Sequence, residues 1–154
     1  MFVGWTQDAE VTRYLTWRPH KAIAEAESFI AQSIDAWSGD ERAVYAITAR
    51  EQDVPIGVIE ARFESAFAAS VGYVLQRGEW NRGYTTEACR GLVGRLFALP
   101  EIWRVWAYCD IENGASARVL ERSGMQHEGI LRRSVLHPNR SDTPRDVHIY
   151  SRVR

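Results

Sequence analysis

The passage GYVLQRGEWNRGYTTEA, residues 72–88, joins an apolar run to a helix start through a basic, glycine-containing loop. A strand-to-helix junction of this kind presents unpaired backbone N–H groups at the positive end of a helix dipole, where phosphates and other anions settle. Gly83 lets the backbone approach an anion with no side chain in the way. Thr85 and Thr86 can cap the helix and add hydroxyl donors, and Arg77 and Arg82 can bring guanidinium groups to phosphate oxygens. Two nucleotide signatures are excluded. GxxxxGK[ST] needs a lysine at this loop, and the only lysine is Lys21. The dinucleotide fingerprint GxGxxG is absent. An ordinary strand-to-helix turn with capping threonines is the other reading of the loop.

A second passage, DIENGASARVLERSGMQHEG (110–129), reads as a short helix with Asn113 as its N-cap and Gly124 as its left-handed C-terminal stop. Metal chemistry is not expected. The two cysteines, Cys89 and Cys109, lie in separate apolar contexts without CxxC, and His20, His127, His137 and His148 show neither HxxH nor HExxH spacing.

The elements that must position these residues follow from periodicity. Residues 21–37 set Ile23, Phe29, Ile30, Ile34 and Trp37 near helical spacing, ended by Ser38, Gly39 and Asp40. Residues 43–49 alternate as a strand, Glu51, Gln52 and Asp53 turn, and 55–63 form the next strand, making a hairpin. Residues 70–75 are a third strand with Val71, Tyr73 and Leu75 on one side. A helix over 85–99 carries Ala88, Leu92 and Leu96 as one stripe, joined by Val93 and Phe97, and stops at Pro100. Residues 104–110 are a strand, 116–123 a helix, and 125–132 and 146–153 an antiparallel pair joined by HPNRSDTPR. This order predicts an α+β (mixed α/β) domain around one sheet.

Composition bounds the rest. At 154 residues the chain is one domain's worth, 1–154, and can bury a real core without disulfides. With 45% hydrophobic and 25% charged residues it is ordinarily globular, with no run long enough to span a membrane. The first residues lack a basic start and an apolar stretch, so no signal peptide is visible and the cytosol is the expected location. A net charge of −1 gives no drive toward nucleic acid or anionic membrane.

Taken together, the chain resembles the GNAT acyltransferase superfamily and, within it, the RimJ/RimL-like (ribosomal-protein N-terminal acetyltransferase type) subgroup. WNRGYTTEA is similar to that group's WGxGYxTEA, and ENGASARVLERSGMQHEGILRR to its ENxxSxxVLEKxGFxxEGxLR. IGVIEARF and VGYVL resemble the two strands before the loop, and HPNRSDTPRD followed by YSRVR resembles the tail of one RimJ-like subgroup. The resemblance implies the GNAT fold, a central, mostly antiparallel mixed sheet flanked by helices, whose two central parallel strands, 70–75 and 104–110, splay apart. It implies acetyl-CoA as cosubstrate, its pantetheine arm pairing with the backbone at Tyr73, Val74 and Leu75. The pyrophosphate would rest on the amides of Arg82, Gly83, Tyr84, Thr85 and Thr86, with Arg77 nearby. Asn113 and Ser116 would face the thioester.

The reaction implied is direct transfer of the acetyl group to a primary amine. The amine must be neutral to attack, so a proton acceptor, direct or through water, is needed. Backbone N–H near Val74 is the expected oxyanion donor. Many GNAT enzymes place a tyrosine acid where this chain has Leu120, so Ser116 takes the thiol-side hydroxyl role, with a helix serine satisfying backbone as the alternative. The carboxylate often found before the VGY-type strand is Ser70 here, and a glutamate used by some relatives falls near Val135. Glu60 is then the nearest carboxylate for a base, if it shares a strand face with Val58; the alternatives are a solvated glutamate, Asp110, Tyr108 or a water chain. DAEVTRYLTW (8–17) begins almost at once, so the usual first strand of the sheet is expected to be missing, which would open an edge and favour a homodimer. Trp5, Tyr14, Trp17, His20 and Trp37 crowd the amino-terminal part as core or as an aromatic acceptor cleft. No strongly acidic run favours a polyamine or basic-tail acceptor. The acceptor is a peptide α-amine or a small-molecule amine, and a catalytically weak acyl-CoA-binding module is the alternative to an enzyme.

Overall fold

The computed structural model describes residues 2–39, 41–50 and 52–154, so Asp40 of the helix end and Glu51 of the expected turn lie outside the described residues. A π-helical turn, Phe2–Thr6, leads into α1, Ala9–Thr12, whose N-cap Asp8 accepts from Glu10 N–H at 2.9 Å. Then follow α2 (Ile23–Ala36), β1 (Arg42–Thr48), β2 (Pro55–Ser65), β3 (Ala68–Leu75), a 3-10 turn (Arg77–Glu79) and α3 (Tyr84–Ala98). The chain continues with β4 (Arg104–Asp110), α4 (Gly114–Arg122), β5 (Gln126–Val135) and β6 (Arg145–Val153). The six strands make one sheet in the order β1-β2-β3-β4-β6-β5, antiparallel throughout except for β3 with β4. This is the α+β, GNAT-type architecture the sequence implies.

Strand alternation divides the core between the two faces. Ile59, Ala61, Val71 and Leu75 pack against Leu92, Val93 and Leu96 of α3 and Leu120 of α4. Cys89 joins that stripe, fully buried. On the opposite face Trp5, 1% exposed, packs with Val11 and Val74 against Leu15, Trp17 and Val58. Gly124 has φ +85, the left-handed stop its position required.

Among the described residues no strand precedes β1, and β1 is an edge strand. The bond from Phe63 N–H to the Glu41 carbonyl sets the phase of the β1–β2 ladder and turns the Val44 carbonyl outward, where Trp37 Nε1 donates to it at 2.9 Å. The apolar stripe of α2 is not inward. Ala26 and Ser33 face the protein, while Ile23, Ile30, Ile34 and Trp37 are exposed. Small residues on the inner face let the helix lie close, and the larger ones are left outside.

Candidate active site

The parallel pairing of β3 with β4 is short. It joins Ala68 to Arg104, Ala69 to Val105 and Ser70 to Trp106, and goes no further. Beyond it β3 stays on β2 through Leu75 and β4 stays on β6 through Asp110, so the sheet opens as a V toward the carboxyl ends of both strands. The bond from Gln76 N–H to the Ile56 carbonyl, 2.8 Å, fixes which β3 groups are spent on β2. Alternation makes Val58–Val74 and Glu60–Gly72 the bonded pairs and turns the backbone of Tyr73 and Leu75 into the gap. Val74 therefore has its amide on the β2 side, and its side chain belongs to the Trp5 cluster. Of the backbone N–H groups near Val74, those of its two neighbours, Tyr73 and Leu75, are the ones that face the gap.

The loop below the gap is shaped by two left-handed residues, Asn81 at φ +61 and Gly83 at φ +88. Trp80 Nε1 donates to the Leu75 carbonyl at 2.9 Å and folds the loop onto the end of β3. Gly83 is the N-cap of α3 and offers no side-chain cap; the helical ladder starts with Glu87 N–H on the Gly83 carbonyl at 3.0 Å. The amides of Tyr84, Thr85 and Thr86 precede that bond, at the positive end of the helix. No atom lies within 4 Å of where a Gly83 Cβ would stand. A cavity of about 480 Å³ opens there, lined by Gly83, Thr86, Glu87, Arg90 and Arg122.

Arg90 and Arg122 were not singled out by the sequence. The signal available was spacing, since Gly83, Glu87 and Arg90 share one face of α3. The Arg90 guanidinium donates to the Arg122 carbonyl at 2.8 Å from Nε, tying α3 to the end of α4. Of the arginines that were singled out, Arg77 pairs with Asp8 at 3.0 Å and Arg82 with Glu79 at 2.6 Å. Each guanidinium thus already has a carboxylate partner, the arginine side chains being exposed and the two carboxylates mostly covered. A second cavity, about 710 Å³, runs between β1 and α3 along Tyr45, Ile47, Tyr84, Glu87, Leu92 and Arg95.

Across the gap, Asn113 caps α4 by accepting from Ser116 N–H at 3.2 Å. The Tyr73 hydroxyl lies 2.7 Å from Ser116 Oγ and 3.2 Å from the Ser116 carbonyl. Cys109 adjoins the same serine; burial pushes its thiol up to about 11, while its hydrogen bond with Ser116 draws it down. Leu120 is fully buried in the core and offers no polar group.

On the other face, Glu60 follows Val58 by two residues and sits over Gly72. A Cβ added to Gly72 would stand 3.4 Å from Glu60 Oε1, in ordinary van der Waals contact, so the carboxylate lies directly over the β3 backbone there. Arg42 donates to Glu60 Oε2 at 2.7 Å and Arg62 donates to Oε1. A carboxylate offers about four acceptor sites, so further donors can still be taken. Asp110 is differently placed. Its buried carboxylate accepts from Arg145 Nε at 2.5 Å and Nη2 at 3.0 Å and from Glu112 N–H at 2.9 Å. That makes it a structural anchor at the end of β4. His137 Nε2 lies 3.8 Å from it, and Asn139 Nδ2 ties the same loop to the Thr12 and Trp17 carbonyls at 2.7 and 2.8 Å.

A V-shaped opening between two parallel central strands thus adjoins an uncapped helix N-terminus, the arrangement that the GNAT resemblance implies. Residues 1–126 match the acetyltransferase (GNAT) domain family, and the chain belongs to it. It is 30% identical over 157 residues to the uncharacterized N-acetyltransferase YoaA of Bacillus subtilis (strain 168), covering 100% of this chain and 86% of that one. Among solved structures it resembles MccE, a microcin self-immunity acetyltransferase in complex with acetyl-CoA and AMP, with TM-score 0.86, 22% identity and coverage of 99% and 84%. It also resembles RimL, a ribosomal alpha-N-protein acetyltransferase in complex with coenzyme A, with TM-score 0.84, 20% identity and coverage of 99% and 84%. The protein is an acetyl-CoA-dependent N-acetyltransferase. Among the described residues no cluster of His, Cys, Asp or Glu could hold a metal ion, and no helix is long and apolar enough to cross a membrane.

Proposed function

We propose that this acetyltransferase modifies the α-amine of a peptide or protein, as the RimJ/RimL-like motifs imply. The pyrophosphate of acetyl-CoA rests on the amides of residues 82–86, with Arg77, Arg82, Arg90 and Arg122 supplying positive charge around it. The pantetheine pairs with the backbone of Tyr73 and Leu75. Asn113 and Ser116 face the thioester, and Val74 lines the acceptor side. The observation that carries this reading is the junction of the β3–β4 gap with the open amides of α3.

In the reaction the amine nitrogen attacks the thioester carbonyl, and the tetrahedral oxyanion accepts from an amide of Tyr73 or Leu75. The C–S bond breaks as the carbonyl re-forms. The amine gives its proton to Glu60, directly or through water, and the departing thiolate accepts a hydrogen bond from Ser116 and takes its proton from solvent. Glu60 sits over the backbone next to Tyr73, within one residue of the gap. The aromatic and aliphatic wall of Trp5, Trp17 and Val58 closes that side with little charge of its own.

Release of CoA thiol from acetyl-CoA, measured with amino-terminal peptides and small amines in parallel, tests the acceptor class. Turnover with peptides carrying a free α-amine, and none after amino-terminal blocking, is expected. Turnover only with small amines overturns the peptide reading. Binding without turnover across the panel favours the weak acyl-CoA-binding module, for which the apolar Leu120 and the arginine-held Glu60 speak. The exposed Ile23, Ile30, Ile34 and Trp37 beside the β1 edge support self-association as a homodimer. Light scattering should then give twice the chain mass, falling to one for Ile34→Glu.

A further inference from the structure

We infer that Tyr73 is a positioning residue for Ser116: its phenol donates to Ser116 Oγ and so directs the serine's own hydrogen toward sulfur. The inference rests on the acetyltransferase reading above. The position at which a thiol-side tyrosine is expected on α4 holds Leu120, buried in the core. A tyrosine arrives instead from a different element, forty-three residues before Ser116 in the chain, on the strand that borders the gap. Tyr73 is three residues past the last β3–β4 pair, where its ring reaches across to α4.

Two contacts of one phenol decide the direction. The shorter, 2.7 Å, is to Ser116 Oγ; the longer, 3.2 Å, is to the Ser116 carbonyl. A phenol is a stronger acid than an aliphatic hydroxyl and a weaker acceptor, so the short bond runs from tyrosine to serine. Ser116 Oγ, having accepted, keeps one hydrogen to give. The Cys109 thiol adjoins the same serine. The same hydrogen is therefore available to a coenzyme thiolate entering the gap.

The surroundings keep Tyr73 a donor. Burial drives its phenol far above the ordinary tyrosine value, and the groups facing it are Cys89 from α3, Cys109 from β4, Tyr150 from β6 and Ser116 from α4. None of these is a cation that would draw the phenol proton away. Tyr73 stays protonated throughout turnover and passes no proton. It holds one hydrogen bond in one direction while Ser116 Oγ donates a hydrogen bond to the departing sulfur, which takes its proton from solvent.

The test is a double-mutant cycle on Tyr73→Phe and Ser116→Ala. Phenylalanine keeps the ring and removes only the hydroxyl, so the fold and CoA affinity should be retained, the latter within about twofold. Thiol release is read with the best acceptor of the panel, or with water as the slow acceptor. Tyr73→Phe is expected to lower kcat about tenfold with KM for acetyl-CoA unchanged, the size of one lost polar contact in the transition state. The double variant should be no slower than Ser116→Ala alone. Full activity of Tyr73→Phe, or multiplicative losses in the double variant, overturns the assignment while leaving the acetyltransferase reading intact. A wild-type protein that binds no CoA overturns both.

Discussion

Asp110, at the carboxyl end of β4, is held in a two-pronged ion pair by Arg145 at the start of β6, with its carboxylate out of contact with solvent. Burial by itself would raise the carboxyl, but the Arg145 guanidinium and the Glu112 amide outweigh it and hold Asp110 below the usual carboxylate range. Arg145 also reaches Glu112 at 3.2 Å, so the pair ties the lip of the gap to the final hairpin. Asp110→Asn should cost about 3 kcal/mol, because Arg145 loses its charge partner inside the protein. For a domain of this size that is a fall in Tm of roughly 6–12 °C. The sign with pH follows from the lowered value: the contribution is complete above the unfolded carboxyl value of about 3.9 and fades as pH falls below it. Thermal unfolding at pH 7 and pH 3 checks both parts, and the variant should lose less than the wild type between them.

His137 gives a second, milder pH dependence. Burial pushes its imidazole below the ordinary value, against the pull of the Asp110 charge, and the ring lies by the backbone of Tyr14 and Leu15. The unfolded chain therefore takes up a proton near pH ~6.5 that the folded chain resists, so stability drops as pH falls through that point. His137→Gln should flatten the Tm profile between pH 7.5 and pH 5.5. An identical slope in wild type and variant contradicts it.

At Gly83 shape and charge can be separated. Its φ of +88 disfavours any side chain, though asparagine tolerates left-handed backbone best. Gly83→Asn and Gly83→Asp are nearly isosteric, so their difference reads charge at the helix N-terminus. CoA affinity measured by titration calorimetry should fall severalfold in the first and at least ten times further in the second. Equal affinities mean that no phosphate sits there.

Glu60→Gln keeps one of the two arginine hydrogen bonds through its carbonyl oxygen, turns its amide NH2 toward the other arginine, and removes the basic carboxylate. Acetyl-CoA binding should be unchanged and kcat should fall about tenfold or more, in line with loss of a general base. Unaltered turnover assigns the proton to a water chain and leaves Glu60 as the partner of two arginines.

Much of this was legible in the residues. The strand over 104–110 is found at those bounds, and the helices of 85–99 and 116–123 are found shifted by one or two positions, because Pro100, Asn113 and Gly124 punctuate them locally. The anion loop could be read because glycine and threonine types act through the backbone at fixed offsets. The exposure of α2 could not, since periodicity reveals that a stripe exists and not which face the tertiary structure covers. Partners distant in sequence were also invisible: Tyr73 with Ser116, Glu60 with Arg42, and Arg90 with Arg122 depend on register and on where the sheet opens.

Amide hydrogen exchange read by NMR, with and without CoA, tests the central claim most directly. In the free protein the amides of Tyr73 and Leu75, turned into the gap, should exchange faster than that of Val74, which is bonded to β2. Adding CoA should slow Tyr73 and Leu75 together with Tyr84, Thr85 and Thr86, and leave Val74 as it was. A response confined to the cavity of Tyr45 and Ile47 between β1 and α3, or none at all, contradicts the account.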